Sequence, residues 1–516
     1  MDPNQYLNLN GLIWSGYLEK KTKHKEDWQQ RWFELYSDTH TCTLLYFYEK
    51  GEKYSGGIVL RSTSTVIEGD NFGFHITCLN KIGLKKTLKV RALSSEIRHE
   101  LITIIRDLIY QFPRSLICPN ATQEIFTIPK RYVLTGKRIG SGQYGRMVTV
   151  TNGIDEKLNK EVDIQKIKLK NVFHDCCDAK EILRDLRFMT ELNHPKIRNL
   201  YDLICSSNFE HFNHMYIVTT PIDTTLESFI RNETLITEHH FQWIMYQCLT
   251  GLKYAHSAGV IHRDLKPANI LIDIKSHEIK LSDFGLWNNV DGDKPEKEVS
   301  NDVLNRWYRA PEVLLSCPSE NSGRYGVCVT MNKTMVDLWS LGCVFGECLL
   351  KRPVLQGHCL VGQLEKIHAF VGTPSQEDLW FVTNKEALNF MMNVLPKKQG
   401  VDLKQKFPTA SDQALSLLTG LLTFDPRKRL DANHAIDHPF LASVREVSHY
   451  EIDAGFTVHT DDIETMEITD SNVKQMMFQE CMRYEKRMIS VHHTPKPKSE
   501  PLIDDDDIKV FGRFYI

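Results

Sequence analysis

Four polar residues in one short segment have the types and the order that phosphoryl transfer needs: Asp264, Lys266, Asn269 and Asp283. Such transfer requires a positioned base, a metal-held nucleotide and stabilisation of developing charge, with little covalent chemistry from the protein. Asp264 could orient an attacking hydroxyl, Lys266 could contact the transferring phosphate, and Asn269 with Asp283 offers oxygen ligands for Mg²⁺. Each residue alone is also common in loops and helix caps. The prediction therefore rests on all four together.

Length and composition exclude several other classes of protein. A chain of 516 residues is too long for one core and predicts two or three domains. A net charge of -3 gives no overall basic field, so we do not expect nucleic acid as a partner. The 13 cysteines without paired CxxC spacing favour a reducing compartment. With no signal-like start and no long apolar stretch, we expect a cytoplasmic protein, neither secreted nor transmembrane, that could still lie peripherally at a membrane.

The elements that must position the four residues follow from the hydrophobic pattern. Residues 10–112 contain short alternating segments such as QRWFELY and TLLYFYEK, then a helical stripe formed by Ile97, Leu101, Ile104, Ile105 and Leu108. This predicts a β-barrel or sandwich closed by a C-terminal helix. Three prolines predict a linker over residues 113–131. Strands and then helices fill 132–441, an extension follows over 442–485, and Pro-rich, charged residues predict a disordered tail over 486–516.

The motifs RIGSGQYG, HRDLKPAN, DFG and RAPE occur in this order and resemble those of a eukaryotic protein kinase. RWYRAPEVLL, DLWSLGCVFGE and LLTFDPRKRL are similar to the mitogen-activated protein kinase branch of the CMGC group. The resemblance implies an α+β, bilobal fold with a β-rich N-lobe and a helical C-lobe that binds ATP and Mg²⁺ between them. It further implies transfer of the ATP γ-phosphate to protein Ser or Thr before Pro, activation by an upstream kinase, an ion pair between Glu312 and Arg429, and a brace from Asp337 to the backbone at Arg263.

The resemblance also assigns the nucleotide contacts. A glycine-rich hairpin would cover the ATP phosphates, and its residues are Ile139, Gly140, Gly142 and Gly145. Thr219 would guard the back of the adenine pocket, with Thr220 and Ile222 holding adenine at the hinge. Alone, a GxGxxG pattern also suits dinucleotide folds and ordinary turns.

The third strand departs from the family, because VDIQKI stands where VAIKKI is usual. In the direct register, Asp163 and Gln165 face the nucleotide, and Gln165 supplies no positive charge. In a register slipped by one residue, Lys166 would face it instead, because strand side chains alternate. On the partner helix, Asp185 replaces the usual Glu. These changes leave open two alternatives to an active kinase: a pseudokinase that acts as a signalling scaffold, and a phosphoinositide-binding adaptor.

The activation segment also departs from the family. The usual phosphoacceptor positions fall on Ser300 and Asp302, of which only Ser300 could accept phosphate and Asp302 could replace a phosphate charge. A solvated loop is the equally weighted alternative. The arginines that would receive these charges are Arg184, Arg263, Arg306 and Arg309.

The first domain resembles a pleckstrin homology domain through SGYLEKK, WQQRWFEL, LYFYEK and the closing helix. Such domains can hold phosphoinositide head groups with basic residues of the first two strands, and Lys20 and Arg31 fall at two of those places. Recruitment to a phosphoinositide membrane surface is one expectation. Docking to a protein partner is the other.

Overall fold

A computed structural model of the chain describes residues 12–21, 27–37, 42–50, 54–60, 64–70, 72–79, 85–111, 113–117, 125–140, 148–172, 176–206, 208–232, 236–284, 306–315, 333–446 and 450–493. Across these ranges, every helix is too short or too polar to cross a lipid bilayer.

The first domain is one antiparallel sheet of seven strands followed by a helix. The strands are β1 (Leu12–Lys21), β2 (Trp28–Ser37), β3 (Cys42–Phe47), β4 (Tyr54–Leu60), β5 (Thr65–Glu68), β6 (Gly73–Leu79) and β7 (Lys85–Arg91). Their order in the sheet is β4-β3-β2-β1-β7-β6-β5. Alternate side chains such as Leu18, Phe33 and Phe74 are buried on one face. The alternating sequence pattern is thereby explained.

Helix α1 (Ser95–Gln111) covers that apolar face. It begins at a cap, because the Ser94 hydroxyl accepts a hydrogen bond from the Ile97 amide at 3.3 Å. Leu101 and Ile105 from the predicted stripe are fully buried against the strands. The predicted sheet closed by a C-terminal helix is confirmed.

The segment expected to be a linker, residues 113–131, contains an antiparallel strand pair. Strands β8 (Pro113–Ile117) and β9 (Ile125–Pro129) pair with each other, and β9 buries Phe126 and Ile128 completely. These side chains join a core with Val162, Ile164 and other residues of the following sheet. A pattern this short, bounded by prolines, carries too little periodicity to be recognised as a strand.

The second sheet forms the N-lobe and has the order β10-β11-β12-β14-β13. Its strands are β10 (Tyr132–Gly140), β11 (Val148–Asp155), β12 (Lys160–Lys168), β13 (Leu200–Cys205) and β14 (His214–Thr219). Helices α2 (Leu169–Val172) and α3 (Cys176–Glu191) lie between β12 and β13. The buried face of α3, which includes Leu183 and Leu186, packs on Ile167 of β12 and Ile217 of β14.

The C-lobe is helical around one large core. Its helices are α4 (Leu226–Asn232), α5 (Glu238–Ser257), α6 (Pro311–Leu315), α7 (Met335–Leu350), α8 (Leu360–Val371), α9 (Lys385–Asn389), α10 (Leu403–Lys406), α11 (Asp412–Leu421), α12 (Ala432–Ile436) and α13 (Ala442–Arg445). Strands β15 (Thr224–Thr225), β16 (Ile270–Ile272) and β17 (Ile279–Leu281) form a small sheet. The expected bilobal fold is confirmed.

The C-terminal extension folds back onto α3. Helices α14 (Asp461–Thr465) and α15 (Asp470–His493) bury Ile463, Val473 and Met477 in the same core as α3. Helix α15 therefore continues eight residues into the segment 486–516 that we expected to be a disordered tail. Residues 494–516 lie outside the described part of the chain.

Candidate active site

The loop between α5 and β16 brings three of the four polar residues into contact. The Lys266 ammonium group lies 2.6 Å from Asp264 Oδ2. Asn269 Nδ2 donates to the same oxygen at 2.9 Å and to the Asp264 carbonyl at 2.8 Å. A short 3₁₀ helix, Pro267–Asn269, turns the chain so that the Asn269 amide reaches back to Asp264. The side chain of Asp264 is thus held in one orientation by a cation and an amide.

A buried carboxylate holds the backbone before Asp264. Asp337 on α7 accepts hydrogen bonds from the His262 amide and the Arg263 amide, each at 2.8 Å. Its third partner is His256 Nε2, also at 2.8 Å. Burial alone would raise the pKa of Asp337, but these hydrogen bonds and histidine charges outweigh it and lower the pKa. The predicted brace is confirmed, and Arg263 holds a positive φ of 62° beside it.

Asp283 also has an unusual backbone conformation, with φ at 67°. Loss of hydration raises the pKa of its carboxyl group, whereas the charge of Arg198 and a hydrogen bond from the Ser282 hydroxyl oppose that rise. Such strained conformations persist where the surrounding structure over-determines them, often at functional sites.

The donor set fits Mg²⁺ bound together with a nucleotide. Asn269 Nδ2 donates to Asp264, so Oδ1 is the amide atom that would bind the ion, and Asp283 would contribute a carboxylate. Two protein oxygens suit Mg²⁺, because this ion keeps several waters and also binds substrate phosphates. Of the described residues, no three His, Cys, Asp or Glu side chains come together as a protein-only metal cage.

Pairing of β12 with its neighbours decides which residue faces the cleft. Gln165 lies opposite Val150 on β11 and Ile217 on β14. Its side chain lines a cavity of about 190 Å³ together with Asp185 and Asp283. In the structure Gln165 therefore faces this cavity, as the direct register predicts.

Lys166 points to the opposite face of the sheet, which corrects the alternative that it faces the nucleotide. Its ammonium group contacts the carbonyl of Ile125 and lies 5.5 Å from the ring centre of Phe126. The side chain is 7 % exposed. The physical reason is the β8–β9 pair, which covers this face and supplies both an acceptor and an aromatic ring for the cation.

Asp163 has a partner on the neighbouring strand. Asn152 Nδ2 donates to Asp163 Oδ1 at 2.6 Å, and Asp163 lies opposite Thr219 on β14. The amide lessens the cost of burying this carboxylate. Asn152, Pro221 and Ile222 line a second cavity of about 220 Å³ at the hinge.

Some of the remaining predicted nucleotide contacts lie within the described residues, and two do not. Thr219 is fully buried at the end of β14, and Thr220 follows it on the surface. Ile139 and Gly140 end β10 opposite Thr151 and Val150. The predicted contacts Gly142 and Gly145 lie outside the described residues.

One residue that the sequence did not reveal lies in the cleft. Arg198 lines the first cavity, and its Nη2 donates to the Thr219 hydroxyl at 2.9 Å. The Arg198 amide donates to the carbonyl of Leu281 at 2.8 Å. Because Leu281 lies two residues before Asp283, this bond holds the backbone of Arg198 close to that carboxylate. The only signal in the sequence is a charged residue two positions before the strand segment LYDLI.

Arg184 pairs with a carboxylate of the C-terminal extension, whereas the phosphate that we expect it to receive would lie outside the described residues. Its guanidinium is 2 % exposed, with Nε 2.6 Å from Glu464 Oε1 of α14. The extension thus supplies the carboxylate that pairs with this arginine. Arg263, Arg306 and Arg309 are half-buried, and the residues whose negative charges they would receive, Ser300 once phosphorylated and Asp302, lie outside the described residues.

A buried ion pair joins Glu312 of α6 to Arg429. Arg429 Nη1 and Nη2 lie 2.6 and 3.0 Å from the two carboxylate oxygens of Glu312, and both side chains are almost fully buried. This two-point geometry is the strong form of an Arg–carboxylate pair. The predicted pair is confirmed.

The two predicted lipid contacts of the first domain lie on adjacent strands. The Lys20 ammonium is 4.5 Å from the ring centre of Tyr46, and the Arg31 guanidinium is 4.5 Å from that of Tyr48. Arg31 also donates to Gln29 Oε1 at 2.6 Å. Each cation therefore has an aromatic neighbour and is partly exposed.

Comparisons with known proteins agree with this architecture. The model of the protein kinase domain matches residues 133–441, and the model of the PH domain matches residues 12–110. Mitogen-activated protein kinase homolog NTF6 of Nicotiana tabacum is 33% identical over 367 residues, which are 71% of this chain and 92% of that protein. Mitogen-activated protein kinase 4 of Arabidopsis thaliana is 32% identical over 366 residues, 71% of this chain and 91% of that protein. The chain therefore belongs to the protein kinase family, with a kinase domain similar to mitogen-activated protein kinases and a PH domain before it.

Proposed function

We propose that the protein is an active Ser/Thr protein kinase that transfers the γ-phosphate of ATP to Ser or Thr residues before Pro. The contact set of Asp264 with Lys266 and Asn269 supports this most strongly. A scaffold without catalysis would not need this arrangement. Protein substrates and an upstream kinase are the partners that such an activity requires.

Each residue of the loop has a distinct task in this proposal. Lys266 and Asn269 both contact Asp264 Oδ2, so Oδ1 is the oxygen that accepts the hydrogen bond of the substrate hydroxyl. Lys266 is also close enough to neutralise negative charge that develops on the transferring phosphoryl group. Asn269 and Asp283 would hold Mg²⁺, which supplies charge neutralisation at the nucleotide phosphates.

The second candidate is a pseudokinase that acts as a signalling scaffold. Gln165 in the cleft and the shorter carboxylate of Asp185 favour it, because the ion pair of active kinases is altered at both positions. We favour catalysis, since losing one charge at the phosphates slows transfer whereas losing the base and metal ligands would abolish it.

The decisive experiment measures transfer of labelled phosphate from ATP to a Thr-Pro peptide by the full chain in Mg²⁺. We expect transfer by the parent protein, less to a matched Thr-Ala peptide, and a loss of about 10²- to 10⁴-fold in Asp264→Asn. Asp453→Asn serves as the control, because Asp453 is exposed and remote in sequence from the loop. Equal signals from the parent and Asp264→Asn would favour the scaffold.

We further propose that the PH domain recruits the chain to phosphoinositide membranes through Lys20 and Arg31. Their partly exposed positive charges on neighbouring strands support this. Cosedimentation with vesicles that contain phosphoinositides should fall at high salt and in Lys20→Ala/Arg31→Ala. Salt-insensitive or absent binding would leave protein docking as the role of this domain. Vesicle binding by a chain without kinase activity would favour the adaptor.

A further inference from the structure

The cavity behind the nucleotide site contains one charged group that the family resemblance does not account for, the guanidinium of Arg198. Its lining includes the two carboxylates of Asp185 and Asp283, the amide of Gln165 and the guanidinium of Arg198. Of the described residues that line this cavity, only Arg198 carries a positive charge. Two carboxylates and one cation are the charges that a kinase cleft normally combines, but here the cation comes from a different part of the chain.

The backbone at Arg198 is fixed close to the metal-ligand segment. Ile197 forms a parallel bridge with Leu281, and the Arg198 amide donates to the Leu281 carbonyl at 2.8 Å. These bonds join the residues after α3 to the strand that leads into Asp283. The side chain of Arg198 therefore starts beside the DFG segment and extends into the cavity.

The guanidinium is only partly committed to protein partners. Nη2 donates to the hydroxyl of Thr219 at 2.9 Å, whereas Nε is buried without a hydrogen-bond partner in the described part of the chain. The positive charge also acts on Asp283, where it opposes the rise that burial causes in the pKa. Because a guanidinium has five donors in a planar fork, one bond to Thr219 leaves donors for an anion.

We propose that Arg198 supplies the positive charge for the nucleotide phosphates that Gln165 cannot supply. This inference rests on the proposed function insofar as ATP is the nucleotide bound. The guanidinium binds phosphate oxygens by charge-assisted hydrogen bonds, and Gln165 contributes an uncharged one. In this proposal the positive charge comes from Arg198, between α3 and β13, instead of from β12.

The competing role for Arg198 is structural, in which it only neutralises Asp283 and supports Thr219. The two roles differ in what they do to nucleotide affinity. A phosphate contact strengthens binding of ATP and leaves adenosine unaffected, whereas a structural support affects both alike.

The test measures dissociation constants of Mg-ATP and adenosine for the full chain, by calorimetry, in four variants beside the parent. Arg198→Met should weaken Mg-ATP by about 10- to 100-fold, the range of one charge-assisted hydrogen bond, and change adenosine by less than about twofold. Arg198→Lys keeps the charge and should retain most of the preference for ATP. Gln165→Lys combined with Arg198→Met should regain affinity for Mg-ATP. Arg231→Met is the matched control, because Arg231 is 67% exposed on α4.

Several results would overturn the proposal. Mg-ATP binding by Arg198→Met equal to that of the parent would remove the phosphate contact. Equal losses of ATP and adenosine would assign Arg198 the structural role. If Arg198→Met does not fold, Arg198→Lys decides, because loss of the ATP preference in that folded variant contradicts a charge role. A parent that binds Mg-ATP no better than adenosine also contradicts it, whereas tight Mg-ATP binding without peptide phosphorylation contradicts only the proposed function.

Discussion

Arg187 of α3 is the residue through which the C-terminal extension can be tested most sharply. Its side chain is 2% exposed and contacts the carboxylates of Asp462 and Glu480, with Nη2 at 2.8 Å from Asp462 Oδ2. It also donates to the His459 carbonyl at 2.9 Å. Burial alone would lower the pKa of the guanidinium, but the hydrogen bonds to both carboxylates outweigh it and raise the pKa. One buried cation thus joins α3 to both helices of the extension.

Replacing this cation by Met should destabilise the kinase domain strongly. Glu480 is 1% exposed, so Arg187→Met leaves a buried carboxylate without its main partner. Breaking a buried pair in this way costs about 3–5 kcal/mol. We expect about 3 kcal/mol, since Asp462 is 48% exposed and can regain water, and Arg483 remains 3.3 Å from Glu480. The melting temperature should then fall by roughly 6 °C.

Thermal unfolding of the full chain, followed by calorimetry, measures this effect. Arg187→Met/Glu480→Met should be more stable than Arg187→Met, because the double variant leaves no unpaired buried charge. Arg231→Met is the control, because it removes an exposed ion pair with Glu227. It should change the free energy of unfolding by only about a few tenths of a kcal/mol. If Arg187→Met unfolds within about 1 kcal/mol of the parent, the extension does not depend on this pair and the reasoning is wrong.

Three further predictions concern the loop, the thiols and the pH dependence. Asp337→Asn should slow peptide phosphorylation about a hundredfold, because the amides of the catalytic loop lose a charged acceptor, and an unchanged rate would contradict the brace. Burial raises the pKa of Cys248 to about 12, so iodoacetamide should modify exposed Cys359 and spare Cys248, and mass spectrometry that finds both modified equally would refute this. Burial, with the charges of nearby lysines, lowers the pKa of His194, so the unfolded chain takes up this proton first as the pH falls below about 6.5. The stability from His194 is therefore present above that pH and lost below it, and the drop in melting temperature from pH 7.5 to 5.5 should be smaller in His194→Asn than in the parent. An identical drop in both would contradict the assignment.

The sequence predicted best those features that are encoded locally. The loop from Asp264 to Asn269 has its partners within five residues, so its geometry follows from a continuous motif. The helix stripe of α1 and its Ser94 cap are local in the same sense. The fold class could be predicted because the motifs that carry it are spread over both lobes.

Features that depend on distant pairing could not be predicted. The direction of Gln165 and Lys166 follows from their partners on β11 and β14, and a strand that slips by one residue would reverse both. Lys166 is stabilised on its face by a strand that resembled a linker. Arg198 reaches the cleft only because its backbone bonds to Leu281, 83 positions later in the chain.

The extension shows the same limit for charged residues. The resemblance predicts a phosphate contact for Arg184, and the structure shows an ion pair with Glu464, which lies 280 positions away. A sequence motif indicates which residues can bind an anion. It does not indicate which anion the fold brings to them.

The most direct test of our central claim, that this cleft transfers phosphate through Asp264, is the single-turnover rate of phosphate transfer from Mg-ATP to a Thr-Pro peptide. The parent chain and Asp264→Asn are compared side by side, each saturated with peptide and present in excess over the labelled Mg-ATP. We predict measurable transfer by the parent and a rate at least about a hundredfold lower in Asp264→Asn, with unchanged Mg-ATP affinity. No transfer by a parent chain that binds Mg-ATP, or the same rate in both proteins, would contradict the claim.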